Sequence, residues 1–189
     1  PGAFSAGQDI DEMGSGRCFI PFVDQLVAFD KPLLAAVNGV GVGIGITMLP
    51  HCDIVYMAES ARLRAPFVAL GLVPEAGSTL LMQMVMGPQR AAEVLFTAQW
   101  INARQAFEWG LAAYVVPDQE LLPTALAKAA EIAVQPLAPL RETKRLLRAA
   151  RADALQAARV REDTAQMSRL GSPENLAAIH AFRQKRSAR

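Results

Sequence analysis

The spacing of apolar positions changes along the chain, and each change marks an element. From Ile20 to Phe29, the residues Phe22, Val23, Leu26, Val27 and Phe29 fall near one side of a 3.6-residue repeat, which predicts a helix. Asp30-Lys31-Pro32 ends it, because a residue before proline is pushed out of helical torsions. Pro32 to Val37 is continuously apolar, as a strand buried on both faces would be. Asp53 to Met57 and Ala61 to Phe67 predict two further extended pieces, and Ala112 to Val116 another. Between them, glycines at 39, 41, 43 and 45 are too dense for a regular strand. They predict backbone packed closely against a neighbour, or torsions that other residues avoid. A short helix is expected over Ile46 to Leu49, ending near Pro50. Phe4 to Ile10 reads as a short apolar start followed by a glycine turn.

Later residues carry the helical period almost alone. Helices are predicted over Pro88–Thr97, Leu121–Val134, Leu140–Ala150, Ala154–Leu170 and Pro173–Arg186. Another begins at Asn102, with Gln105 three residues on completing a capping box and Gly110 suited to its stop. The last helix has Ser172 at N-cap, Pro173 at N1 and Glu174 in the first turn, each suited to its place. Around Asp118 a mixed α/β portion gives way to an all-helical one. The expected division is 1–118 and 119–189.

With 189 residues, the chain is long enough to bury a substantial core in one domain. No apolar run reaches the roughly 18 residues of a membrane span. The most apolar stretch, Pro32 to Pro50, is interrupted by Asn38 and the four glycines and reads as core. Cys18 and Cys52, without C-x-x-C spacing, argue against a disulfide scaffold or a zinc site and suit a reducing cytoplasm. Charge is uneven: residues 1–140 hold 7 Lys+Arg against 13 Asp+Glu, and residues 141–189 hold 12 against 5. The late bases sit at helical spacing among apolar residues. A solvated helix face is favoured over a nucleic-acid surface, although a ligand's phosphates or another subunit would also suit such charge.

Familiar chemistries are excluded in turn. The glycine run fails the G-x-G-x-x-G pattern, because Ile44 and Ile46 stand where a third glycine is needed, and no Gly-Lys-Ser/Thr follows. There is no G-x-S-x-G elbow. His51 and His180 are too scattered for a metal set. Acid–base work therefore falls to a carboxylate. Two glycine-associated segments remain: Ser5-Ala-Gly-Gln-Asp9 and Gly43-Ile-Gly-Ile46. Turns of this kind, the second running into a helix, leave N–H groups unpaired. Two such donors converging on one oxygen suit an anion that appears only during reaction. The competing reading is that both are simply tight turns.

Four blocks in order resemble the crotonase (enoyl-CoA hydratase/isomerase) superfamily: Phe4-Ser-Ala-Gly-Gln-Asp-Ile10, Lys31-Pro-Leu-Leu-Ala-Ala-Val-Asn-Gly39, Cys52-Asp53, and Leu70-Gly-Leu-Val-Pro-Glu-Ala-Gly77. Ala91 to Gly110 and Ala181-Phe-Arg-Gln-Lys-Arg186 are similar to later family segments. The resemblance implies a spiral of β-β-α units with a C-terminal helical trimerisation region, and further strands ahead of the first block. It implies an acyl-CoA substrate, a homotrimer or dimer of trimers, and no cofactor beyond the coenzyme A of the substrate. Neither nucleic acid nor membrane is expected as a partner, and the cytoplasm is the expected location. By the same resemblance, the backbone N–H groups of Gln8 and Ile44 form an oxyanion hole. Ala6, Asp9, Ile10, Gly45, Phe67, Phe182 and Lys185 become substrate or CoA contacts, and Asp53 reads as a structural turn carboxylate.

Hydratases of the family use two glutamates, and their positions fall here at Thr47 and Phe67. Neither transfers a proton as a carboxylate does. Glu75 resembles the glutamate of the peroxisomal-type Δ3,Δ2-enoyl-CoA isomerases, which implies isomerisation by one acid/base. A turn glutamate paired with Arg64 or Arg90 is the structural alternative. A hydratase-like or thioester-hydrolase relative, and a non-catalytic acyl-CoA-binding module, are the functional ones.

Overall fold

The computed structural model describes residues 2–9 and 19–187, with the side chains of 185–187 left aside. Two small sheets organise it. In the first, β1 (Ala3–Ser5), β3 (Val40–Val42) and β5 (Arg62–Arg64) run parallel, and β6 (Trp100–Asn102) closes the edge antiparallel to β5. In the second, β2 (Leu34–Val37), β4 (Ile54–Ala58) and β7 (Tyr114–Val116) are all parallel. From β1 to β5 the chain alternates between the two sheets, as a spiral requires; β5 and β6 then share the first sheet, and β7 returns to the second.

The core collects residues of both sheets, including Val37, Met57, Leu63 and Ile101. Helical residues Ile46, Met82 and Val94 join the same cluster. These belong to α2 (Ile44–Thr47), α3 (Ser78–Met86) and α4 (Pro88–Thr97). The predicted helix at the start is α1 (Phe19–Ala28), which buries Val23 and Leu26. The capping box forms at the head of α5 (Ala103–Glu108): Asn102 accepts from the Gln105 amide at 2.8 Å, and Gln105 Oε1 accepts from the Asn102 amide at 3.0 Å. Gly110 follows with a positive φ of 84°.

The C-terminal helices are α6 (Leu121–Ala133), α7 (Leu137–Ala149), α8 (Ala152–Arg169) and α9 (Pro173–Ser187). Ser172 Oγ accepts from the Asn175 amide at 3.3 Å, as the capping pattern predicts. Among the described residues, no helix is long and apolar enough to cross a membrane.

Several expectations need correction. Val40–Val42 is a strand despite its glycines. A Cβ on Gly39 would stand 2.0 Å from the Gly2 carbonyl oxygen, and one on Gly41 2.6 Å from Leu63 Cδ2. The glycines let the strand pack tightly; they do not prevent it. The helix expected over Ile46–Leu49 starts earlier, at Ile44, and a separate 3₁₀ turn spans Leu49–His51. Helix α3 and strand β6 were not predicted by the apolar period.

The basic late segment is largely engaged within the protein. Arg141 pairs with Asp30, Arg145 with Glu142, and Arg148 donates to the carbonyls of Leu26, Val27 and Phe29 at the end of α1. Lys144 is 4% exposed and donates to Asp53 Oδ2 at 2.8 Å and to the Lys31 carbonyl at 2.6 Å. The same Asp53 oxygen accepts from the Leu33 amide at 2.6 Å. Asp53 thus ties the entry to β2 to helix α7. Lys144→Met, which strips a buried cation from this carboxylate, is expected to cost about 3 kcal/mol in urea unfolding. A change within 0.5 kcal/mol would show the pair to be incidental, as for an exposed bridge of roughly that worth.

Candidate active site

One cavity of about 510 Å³ opens where the first sheet meets α9 and the turn after β5. Its wall includes Ala6, Gln8, Ile44, Phe67, Glu75 and Phe182. Six positions proposed from sequence therefore share one space. Gly45 does not belong to that wall: a Cβ there would stand 3.0 Å from both Ser5 Cβ and the Ser5 carbonyl oxygen, so it packs the α2 turn against β1. Asp9 is exposed and also lies outside the wall. Ile10 and the Lys185 side chain fall outside the described residues.

Two turns bring Gln8 and Ile44 together. Gly7 has φ 89° and Gly43 has φ 59°, torsions that glycine adopts without a Cβ clash. A Cβ on Gly43 would lie 3.8 Å from Gly7 Cα, so the turns touch. Gly43 is held from below by its own amide donating to the Arg64 carbonyl at 3.0 Å. Among the described residues, the amides of Gln8 and Ile44 bond no protein acceptor. Each amide directly follows one of the touching glycines, and both residues line the cavity.

Glu75 enters on the turn between β5 and α3. The turn is unusual: Ala76 has φ 61° and Gly77 φ 74°. A non-glycine residue in that region carries strain and persists when its surroundings hold it. Three groups do so. His51 Nε2 lies 2.7 Å from the Ala76 carbonyl. Gln166 Oε1 accepts from the Val73 amide at 3.1 Å. Glu162, 4% exposed on α8, accepts from the Gly77 amide at 2.5 Å, the Thr79 amide at 2.8 Å and the Thr79 hydroxyl at 2.5 Å. Glu162 thereby caps α3 from a distant helix, since Gly77 offers no side chain to cap it. Burial holds the His51 imidazole down near pH 4, helped by Arg151, Arg148 and Arg159, so it is neutral at pH 7 and donates from Nε2.

The Glu75 carboxyl is pushed up to about 8, first by burial and then by the charges of Glu162 and Asp163. The two arginines considered as partners are occupied elsewhere. Arg64 Nε donates to the Ala98 carbonyl at 2.7 Å with its guanidinium 5.6 Å from the Trp100 ring centre; Arg90 pairs with Glu93 at 2.8 Å. Among the described residues, no other carboxylate lines the cavity. At the two glutamate positions of hydratases stand Thr47, buried and donating to the Gly43 carbonyl at 3.3 Å, and Phe67, buried in the wall.

Sequence reasoning overlooked Glu162, His51 and Gln166. The only signal was an acid amid the apolar period of α8. Its partner turn lies more than eighty residues away in the chain.

Comparison with known proteins shows the family. The family described as enoyl-CoA hydratase/isomerase matches residues 1–189. The chain belongs to that family. It is similar to 1,2-epoxyphenylacetyl-CoA isomerase of Escherichia coli K12, at 34% identity over 97% of this chain and 75% of the relative. The 2,3-dehydroadipyl-CoA hydratase of the same organism is 33% identical over 97% of this chain and 75% of its own length. Enoyl-CoA delta isomerase 2 of Rattus norvegicus is 35% identical over 85% of this chain and 41% of the relative. The crystal structure of an enoyl-CoA hydratase/isomerase from Pseudoalteromonas atlantica T6c superposes with a TM-score of 0.93 at 34% identity, covering 98% of this chain and 76% of that one. Crotonase-fold relatives thus include both isomerases and hydratases.

The raised carboxyl has a consequence for stability. Glu75 binds its proton more tightly folded, near pH 8, than unfolded, near 4.5. Its contribution is intact below pH 4.5 and is lost as pH rises through 8. Glu75→Gln cannot ionise. Its unfolding free energy is therefore expected to gain on wild type between pH 4.5 and 8, with the variant more stable above. Urea unfolding across that range checks this; parallel curves would mean that Glu75 titrates like a free carboxyl.

Proposed function

We propose that the protein is an acyl-CoA enzyme that shifts the double bond of a 3-enoyl-CoA to the 2-position, with Glu75 as the sole acid/base. The observation that carries this is that, among the described residues, one carboxylate and two acceptor-free amides share a single cavity. In this reading the Gln8 and Ile44 amides receive the thioester oxygen. Glu75 removes a proton from C2, and the C–H electron pair flows into the carbonyl to give a dienolate. The two amides stabilise the negative oxygen where it develops. The dienolate collapses to a C2–C3 double bond, and the former C3–C4 π pair takes the proton from Glu75 at C4. No water is added and no cofactor is required, coenzyme A being part of the substrate. Phe67, in the wall near Glu75, keeps the space apolar, and a carboxylate in such surroundings is a stronger base.

Ala6 and Phe182 are proposed to contact the substrate, Phe182 from the half-exposed rim at 46% accessibility. We further propose a trimer or a dimer of trimers. Helices α6 to α8 leave Leu122, Leu126, Leu146, Leu147 and Met167 exposed, and such residues favour burial between subunits.

Glu75→Gln should lower isomerisation of a 3-enoyl-CoA roughly 10²- to 10⁴-fold. For wild type, kcat/KM should rise with pH through about 8, as the base ionises. Retained turnover in the variant removes Glu75 from the chemistry. Faster hydration of a 2-enoyl-CoA than isomerisation of a 3-enoyl-CoA would favour the hydratase-like reading. Coenzyme A affinity without turnover of either would leave a binding module.

A further inference from the structure

We propose that Glu162 is the positioning residue of this site, fixing the turn that carries Glu75 and facing it with a second negative charge. The inference rests on Glu75 being the acid/base. Its geometric basis is independent of that role. Glu162 is buried, yet both its carboxylate oxygens are bonded: Oε2 by the Gly77 amide, and Oε1 by the Thr79 amide and hydroxyl. These donors lie two and four residues beyond Glu75. Between them the backbone passes through the left-handed torsions of Ala76 and Gly77, which would relax if released. A Cβ on Gly77 would meet Leu155 Cδ1 at 2.2 Å, so α8 presses directly against the turn.

The charge has a direction as well. Burial pushes the Glu162 carboxyl up, while its bonds from Thr79 and Gly77 pull it back. Glu75 has no such donors, and its own shift includes the Glu162 charge as the second cause after burial. Of two facing acids, the one with donors ionises first and holds the other neutral. The remaining charged or titratable groups around the turn do not replace this. Asp163 acts in the same direction from the exposed side of α8. Arg159 is paired with Asp24 at 2.5 Å, and His51 is neutral and bonded to Ala76. One side chain thus fixes the turn that carries Glu75 and adds to the burial that delays its ionisation.

Glu162→Gln keeps the shape but loses the charge, and its amide nitrogen cannot accept, so with its oxygen facing Thr79 the bond from the Gly77 amide is lost. The low-pH limb of kcat/KM for a 3-enoyl-CoA should move down by on the order of one pH unit. The maximal kcat should fall on the order of tenfold, because the turn is no longer held. Glu162→Asp restores the charge and should return the limb toward wild type. Thr79→Val, a milder change, removes one donor to Glu162 but leaves its charge, so kcat should fall by less than in Glu162→Gln while the limb does not move down. A second readout needs no turnover: the pH at which the stability gain of Glu75→Gln over its parent levels off should fall in a Glu162→Gln background. An unchanged limb and an unchanged levelling pH in Glu162→Gln, or a wild-type kcat in Thr79→Val, would overturn the proposal. If the levelling pH moves but wild type itself fails to isomerise a 3-enoyl-CoA, Glu162 still acts on Glu75 and the proposed reaction is what fails.

Discussion

Backbone meets backbone at the centre of this structure, at distances that no side chain would tolerate. Strand β1 lies against β3 so closely that a Cβ on Gly39 would overlap the Gly2 carbonyl, and one on Gly7 would stand 3.0 Å from the Val42 carbonyl oxygen. Gly45 packs on Ser5 in the same way. These contacts place the Gly7 and Gly43 turns against each other, with positive φ at both. The amides that follow are left without acceptors because the backbone turns away from the sheet just there. A larger residue at any of these positions would separate the turns, and the cavity would lose the shared character of its two donors. The site is therefore a property of main-chain packing first and of side chains second.

The second constraint is electrostatic. A carboxyl in an apolar wall pays for desolvation with a raised proton affinity, and a second buried acid adds to it. The fold holds both acids because their surroundings differ: Glu162 collects three donors, and among the described residues the Glu75 carboxylate has no comparable set. His51 contributes by staying neutral. A charged imidazole bonded to Ala76 would pull in the opposite direction on the neighbouring acid. The strained turn, the distant cap of α3 and the unpaired Glu75 are one arrangement seen from three sides.

Much of this was legible in the sequence, where the signal was local. The capping box of Asn102 and Gln105, the helix Pro88–Thr97 and the Ser172 cap are written within a few residues each, and the structure shows them. So did the glycine density of residues 39–45 speak of close approach, although it misled about the strand itself. What stayed illegible depends on distant partners. Helix α3 has glycine at its N-cap, and its acceptor comes from α8, so no local start signal exists. Strand β6 has only three residues, and its Asn102 already reads as a cap. Glu162 looks like any acid on a helix until α8 is laid against the turn at 73–79. Gly45 was given a ligand role by the family resemblance, whereas its position is decided by Ser5.

The acid inventory also bears on why a proton shuttle suits this cavity better than the addition of water. Adding water across a double bond calls for groups that orient and activate it, and hydratases of the family place two glutamates there. Here one of those positions is a threonine whose hydroxyl is committed to the Gly43 carbonyl, and the other is a buried phenylalanine. Neither can hold or deprotonate a water molecule. A single carboxyl that returns the proton it takes has no such need, and it gains from the dryness that would defeat hydration. The apolar wall, the raised Glu75 carboxyl and the lack of a second acid among the described cavity residues therefore pull in one direction, and the proposed isomerisation uses all three.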